Sequence, residues 1–218
     1  MMKPILIGET DPDICLVQAT DEMESEMLQK EYEKIAEGTD RKILLAAFLV
    51  DDWNRDLSPW EAPAAFGKEN FGGRAGDTLS YLKTRFLPYV KQERCVREDA
   101  EWIVGGYSLS GLFALWAACE TDLFRAAAAA SPSVWFPGWT EYVKSCPDIP
   151  ETVYLSLGTK EERTKNPVMR TVGDRIREMH QFLKESGKNT VLEWNPGNHF
   201  QDPDGRMAKG FLWCIEHA

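Results

Sequence analysis

No apolar run in this sequence approaches the ~20 residues that span a bilayer as a helix. The opening Met1-Met2-Lys3-Pro4-Ile5-Leu6-Ile7-Gly8 carries one lysine and an apolar stretch of three residues. That is too short for the core of a secretory signal, so a cytoplasmic location is expected. Basic blocks are missing as well. The 25 Lys and Arg residues are scattered among 35 Asp and Glu, and the net charge of −10 opposes nucleic-acid and anionic-membrane partners alike. Cysteine is sparse: Cys15, Cys95, Cys119, Cys146 and Cys214 are odd in number and far apart, with no C-x-x-C pair. This excludes a disulfide framework and a structural zinc site, and Cys119 and Cys214, each within an apolar helical stretch, read as buried thiols. Repeats, linkers and low-complexity segments are lacking too, so residues 1–218 are expected to form one domain with enough chain to bury a sizeable core. Scarcest of all is histidine, with three residues, which keeps the search for a catalytic base short.

What is present alternates between strand and helix patterns. Short strands are expected at Ile5–Ile7 and Ile14–Gln18, with Asp11-Pro12-Asp13 turning between them. An acid-rich helix follows from Glu22 to Ala36. The run from Lys42 to Val50 is apolar without alternation, as in a strand covered on both faces of a parallel sheet. After it, Asp51 to Gly73 has no period but contains two tryptophans, and long irregular loops of this kind are commonly functional. A helix from Asp77 to Lys91 is expected to kink or end at Pro88. Strands are expected at Trp102–Gly105, Val153–Gly158 and Val191–Trp194, and helices at Gly111–Cys119, Pro167–Ser186 and Gly205–His217. Ala126–Ala130 is a conflict, because alanine favours helix but five residues cannot sustain one; the topology favours strand. The order predicts an α/β domain with a mainly parallel sheet.

The window Trp102 to Leu115 carries the chemistry. A buried strand runs into Gly105-Gly106-Tyr107-Ser108-Leu109-Ser110-Gly111, and an apolar helix runs out. A nucleophilic serine on a strained strand-to-helix turn needs small residues two positions before and after it. Gly106 meets the first need, and Ser110 rather than glycine fills the second. Serine also needs a base, itself oriented by a carboxylate, and on this turn the chain order is serine, acid, histidine. His180 lies within an amphipathic helix and His217 is the penultimate residue; only His199 follows the last strand in a loop. The acid is expected after Val153–Gly158, with Glu161 the first choice and Glu162 its competitor. Backbone N–H groups of Leu109 and of Trp53 or Asn54, in the loop after the third strand, would form the oxyanion hole. Trp60 and Trp135, with Asn54, are expected at the substrate pocket, Trp135 within a Ser131–Trp139 rim too short for a large lid.

These pieces resemble a known group. Gly106 to Leu115, Gly158-Thr159-Lys160-Glu161, Gly197-Asn198-His199-Phe200 and the Asp52 to Trp60 loop are together similar to the esterase family of the α/β-hydrolase superfamily that includes esterase D, enterochelin esterases and mycolyltransferases. The resemblance spans residue 43 to the C-terminus. It implies an α/β-hydrolase fold with helices on both faces of the sheet, no metal or organic cofactor, and hydrolysis of a small-molecule carboxylic ester. Ser108 would be the nucleophile and His199 the general base and acid, with Leu109 and Trp53 as oxyanion donors. The acid is the open position, since some siderophore esterases of the group resemble Ser–His dyads. An acyltransferase of the same fold and a non-catalytic binding module are the competing readings, and self-association into a homo-oligomer is left open.

Overall fold

The computed structural model describes residues 4–21, 27–65 and 67–218. The chain begins β1 (Pro4–Gly8), β2 (Ile14–Thr20), α1 (Leu28–Glu37), β3 (Ile43–Leu49) and α2 (Trp53–Asp56). A two-residue ribbon, β4 (Glu61–Ala62) with β5 (Phe71–Gly72), precedes α3 (Ala75–Tyr81) and α4 (Leu87–Arg94). Then come β6 (Glu101–Tyr107), α5 (Leu109–Glu120), β7 (Ala126–Ala130) and α6 (Trp139–Ser145). The chain closes with β8 (Thr152–Gly158), α7 (Val172–Glu185), β9 (Asn189–Asn195) and α8 (Pro203–His217).

Seven strands form one sheet in the order β1-β3-β2-β6-β7-β8-β9. β1 runs antiparallel to β3, and every other pairing in this sheet is parallel. The unbroken apolar run of β3 is explained by this setting. Leu44, Ala46 and Phe48 enter the core under α3 to α7, while Ile43, Leu45 and Ala47 face the layer formed by α1 and α8. Alternate residues point to opposite faces, and helices cover both. The arrangement is an α/β-hydrolase fold.

The alanine run resolves as a strand because its position outweighs its propensity. β7 pairs with β6 and β8, and all five alanines are buried. Small residues let α8 lie close to the sheet. A Cβ on Gly105 would stand 2.5 Å from the Phe211 ring, and one on Gly210 would stand 2.9 Å from Tyr154.

Several boundaries differ from the sequence reading. The turn expected between β1 and β2 is present, at Asp11 with φ 51°, and β3 lies between the two strands in the sheet. The first helix is seen from Leu28, the start expected at Glu22 lying outside the described residues. Pro88 does not end its helix, because a π-helical turn over Leu82–Phe86 widens the coil just before it and the chain stays helical to Arg94. α7 starts at Val172 rather than Pro167. Asn166 Oδ1 accepts the N–H groups of Val168 and Met169, holding this stretch as a separate turn and leaving Val168 exposed. Among the described residues, no helix is long and apolar enough to cross a membrane.

Candidate active site

Parallel strands deliver their loops to one edge of the sheet, at their carboxyl ends, where ligands of open α/β sheets bind. Ser108, Glu161 and His199 all follow such ends, those of β6, β8 and β9. Ser108 has φ 59° and ψ −121°, a strained conformation for a residue other than glycine. Neighbouring backbone holds it there: Ser108 N–H donates to Ala130 O at 3.1 Å, and Ser133 N–H donates to Ser108 O at 3.0 Å. Gly106 has no room for a side chain, since a Cβ would meet the Ser110 backbone at 2.4 Å. Ser110 fits, but its hydroxyl is buried with no hydrogen-bond partner among the described residues.

His199 reaches Ser108 from the loop between β9 and α8. Its Nε2 lies 3.0 Å from Ser108 Oγ, and its Nδ1 lies 2.7 Å from Glu161 Oε2. With Glu161 ionised, Nδ1 carries the proton and donates it, leaving Nε2 free to accept from the serine hydroxyl. Glu161 sits in a short turn after β8, with its side chain 5% exposed. Its other oxygen, Oε1, accepts from Ser131 Oγ at 2.7 Å, Gly158 N–H at 2.7 Å and Arg206 Nη1 at 3.0 Å. Burial pushes the carboxyl upward. The hydrogen bond and charge of His199, the Ser131 hydroxyl and the Gly158 N–H outweigh it and hold Glu161 below the usual glutamate range. Glu162 does not reach the ring; its carboxylate pairs with Arg177 Nη2 at 3.0 Å.

The acid and histidine loops are also joined through their backbones. Lys160 N–H donates to Gly197 O at 2.9 Å and Thr159 N–H to Asn195 O at 2.8 Å. Gly197, at φ 100°, takes a conformation that side chains disfavour, and a Cβ there would meet Gln201 at 2.0 Å.

A cavity of about 530 Å³ opens at these residues, with Ser108, His199, Trp135, Met169, Val172 and Phe200 in its wall. A larger one of about 780 Å³ lies where α5 ends, beside Cys119, Tyr142 and Cys146, and contains none of the three. Of the residues expected at the pocket, Trp135 lines the smaller cavity, whereas Asn54 and Trp60 are not in its wall. Trp60 is used to pack the long loop: its Nε1 donates to Pro137 O at 2.8 Å, and its ring meets Phe136 edge-on at 5.7 Å. The Asn54 backbone carbonyl accepts from the buried Ser58 hydroxyl at 2.6 Å. Leu109 and Trp53 are the first residues of α5 and α2, where a backbone N–H has no carbonyl four residues back to bond.

Residues 29–199, well over half of the chain, match the family model described as "Putative esterase". The chain belongs to this esterase family. Over 137 aligned residues the chain is 28% identical to the uncharacterized protein YbbA of Bacillus subtilis (strain 168), covering 61% of this chain and 55% of that protein. The chain thus matches little more than half the length of that relative. Among solved structures, the IroE-like serine hydrolase from Shewanella oneidensis superposes with a TM-score of 0.78 at 14% identity, covering 99% of this chain and 76% of that one. The siderophore hydrolase EstA from Aspergillus nidulans gives 0.72 at 17% identity, covering 97% and 85%. At such identities the likeness establishes the fold.

The roles of Tyr107, Ser131 and Arg206, which bond to the acid and histidine loops, escaped the sequence reading, as did Met169, Val172 and Phe200 in the cavity wall. Tyr107 OH donates to His199 O at 2.7 Å, and Ser131 holds Glu161 from a left-handed conformation at φ 46°. Arg206 was detectable in principle. It shares the buried stripe of α8 with Gly210 and Cys214, at a spacing of four, where a charged residue is out of place.

Proposed function

We propose that this esterase cleaves a small carboxylic ester through an acyl-enzyme at Ser108. The supporting observation is the continuous relay from Ser108 Oγ to His199 Nε2 at 3.0 Å and from His199 Nδ1 to Glu161 at 2.7 Å, set in the wall of a cavity. Ser108 Oγ attacks the ester carbonyl while His199 Nε2 takes its proton. The ionised Glu161 stabilises the imidazolium, and the backbone N–H groups of Leu109 and Trp53 receive the oxyanion. His199 then returns the proton to the leaving alcohol. A water molecule, deprotonated by the same nitrogen, attacks the acyl-enzyme; the acyl–Oγ bond breaks, His199 returns that proton to Ser108 Oγ, and the acid leaves.

The cavity wall also bears on the substrate. Trp135, Met169, Val172 and the exposed Phe200 suit an apolar or aromatic acyl group, and Lys160 and Arg163 beside them suit an anionic one. Hydrolases of siderophores, such as the Aspergillus neighbour, fit within that range. None of the five cysteines is joined in a disulfide, in keeping with a reducing compartment such as the cytoplasm.

The test combines a chromogenic acetate or butyrate ester with a fluorophosphonate probe. Ser108→Ala should abolish turnover and labelling, and His199→Ala should reduce both strongly. Undiminished labelling of both variants would overturn the proposal.

A further inference from the structure

Arg206 is buried to 1% exposure, yet it carries a full positive charge into the interior. An isolated charge there is costly, so its partners define its use. Nη1 lies 3.0 Å from Glu161 Oε1, 3.2 Å from Ser131 Oγ and 3.0 Å from Tyr107 OH. Nη2 lies 3.0 Å from Pro196 O and 2.9 Å from Asn198 O. The two hydroxyls are free to accept, because Ser131 donates its own proton to Glu161 and Tyr107 donates its own to His199 O.

A structural ion pair with Glu161 would need only one of these contacts. Two of the others reach His199, through Tyr107 and the Asn198 carbonyl, while Ser131 leads back to Glu161. Asn198 O belongs to the peptide entering His199, and Tyr107 holds the carbonyl leaving it, so both sides of that residue are tied to one guanidinium. On the other side, Arg206, Ser131 and Gly158 occupy Glu161 Oε1, which leaves Oε2 to face the imidazole. We propose that Arg206 is a positioning residue that fixes Glu161 and His199 relative to each other. It acts through them and not on substrate. The inference rests on the reading of Ser108, His199 and Glu161 as the catalytic groups. A planar fork is required for this task, since an ammonium in the same place supplies the charge without bridging Glu161 to the two carbonyls.

The test is a mutant cycle on ester turnover, with thermal melting to establish that each variant is folded. Arg206→Met should lower kcat by about 100-fold, the scale of a misplaced catalytic group, with KM nearly unchanged. Arg206→Lys should recover only part of that loss. Combined with Glu161→Gln, Arg206→Met should cost far less than it does alone, because the carboxylate it orients is already neutral. If Arg206→Met does not fold, Arg206→Lys and Ser131→Ala take its place in the cycle. Equal losses in both backgrounds, a change confined to KM, or wild-type kcat in Arg206→Lys would each overturn the inference. Failure of the underlying reading looks different: wild-type protein without ester turnover, or Ser108→Ala retaining it.

Discussion

Glu162 Oε2 lies 3.0 Å from Arg177 Nη2, while the carboxylate of the adjacent Glu161 is buried against His199. One step along the chain separates an exposed ion pair from the site. Exposed pairs contribute little. Glu162→Gln is therefore expected to leave kcat within about twofold and stability within about 0.5 kcal/mol. Glu161→Gln is expected to lower kcat by about 10² to 10⁴. Steady-state kinetics on one chromogenic ester compares them; equal effects would remove Glu161 from the mechanism.

Glu161 also makes stability depend on pH. Its carboxyl is held below the ordinary range in the folded protein, so folding favours the ionised form. That contribution is complete above the unfolded value, about pH 4, and is lost as pH falls through the folded value. Urea titrations from about pH 7 to about pH 3 should show the stability advantage of wild type over Glu161→Gln shrinking at the acid end. An advantage that grew on acidification would contradict this.

The buried Ser110 hydroxyl has no partner among the described residues. Removing an unsatisfied buried polar atom is neutral to stabilising, so Ser110→Ala is expected to change unfolding free energy by between zero and about +1 kcal/mol. Chemical denaturation measures it. A loss of more than about 1 kcal/mol would mean that the hydroxyl is bonded in solution.

The two tryptophans should separate stability from binding. Trp60→Phe removes the hydrogen bond to Pro137 O and should cost about 1 kcal/mol while leaving KM unchanged. Trp135 lines the cavity, and Trp135→Leu should move KM for an aryl or acyl ester by about tenfold. If KM moved with Trp60 alone, the cavity assigned to substrate would be the wrong one.

The strand-turn-helix from Trp102 to Cys119 was legible because each signal there is local: an apolar run, glycines where backbone approaches closely, and an apolar helix. His199 was legible by elimination among three histidines. Glu161 was preferred over Glu162 only by its place after the strand, because both stand in one charged turn and what separates them, burial and partners, is set by distant chain. Trp60 misled because an aromatic in a long loop looks the same whether it lines a cavity or packs the loop itself. Val168 continued the apolar period of α7, and only the side chain of Asn166 shows why the helix begins later. Arg206 stands out in sequence as a charge on the apolar stripe of α8, but its role required the third dimension, since its five partners come from four separate stretches of chain.

The alanine strand β7 has a wider reach than its plain sequence suggests. The methyl groups of Ala126, Ala128 and Ala130, with Gly105 and Gly210, set how far α8 stands from the sheet, and α8 carries Arg206. The strand works as a shim beneath a lever. An added methylene at Ala128, which neighbours Gly210, would tilt the far end of that lever where the guanidinium grips the acid and histidine loops.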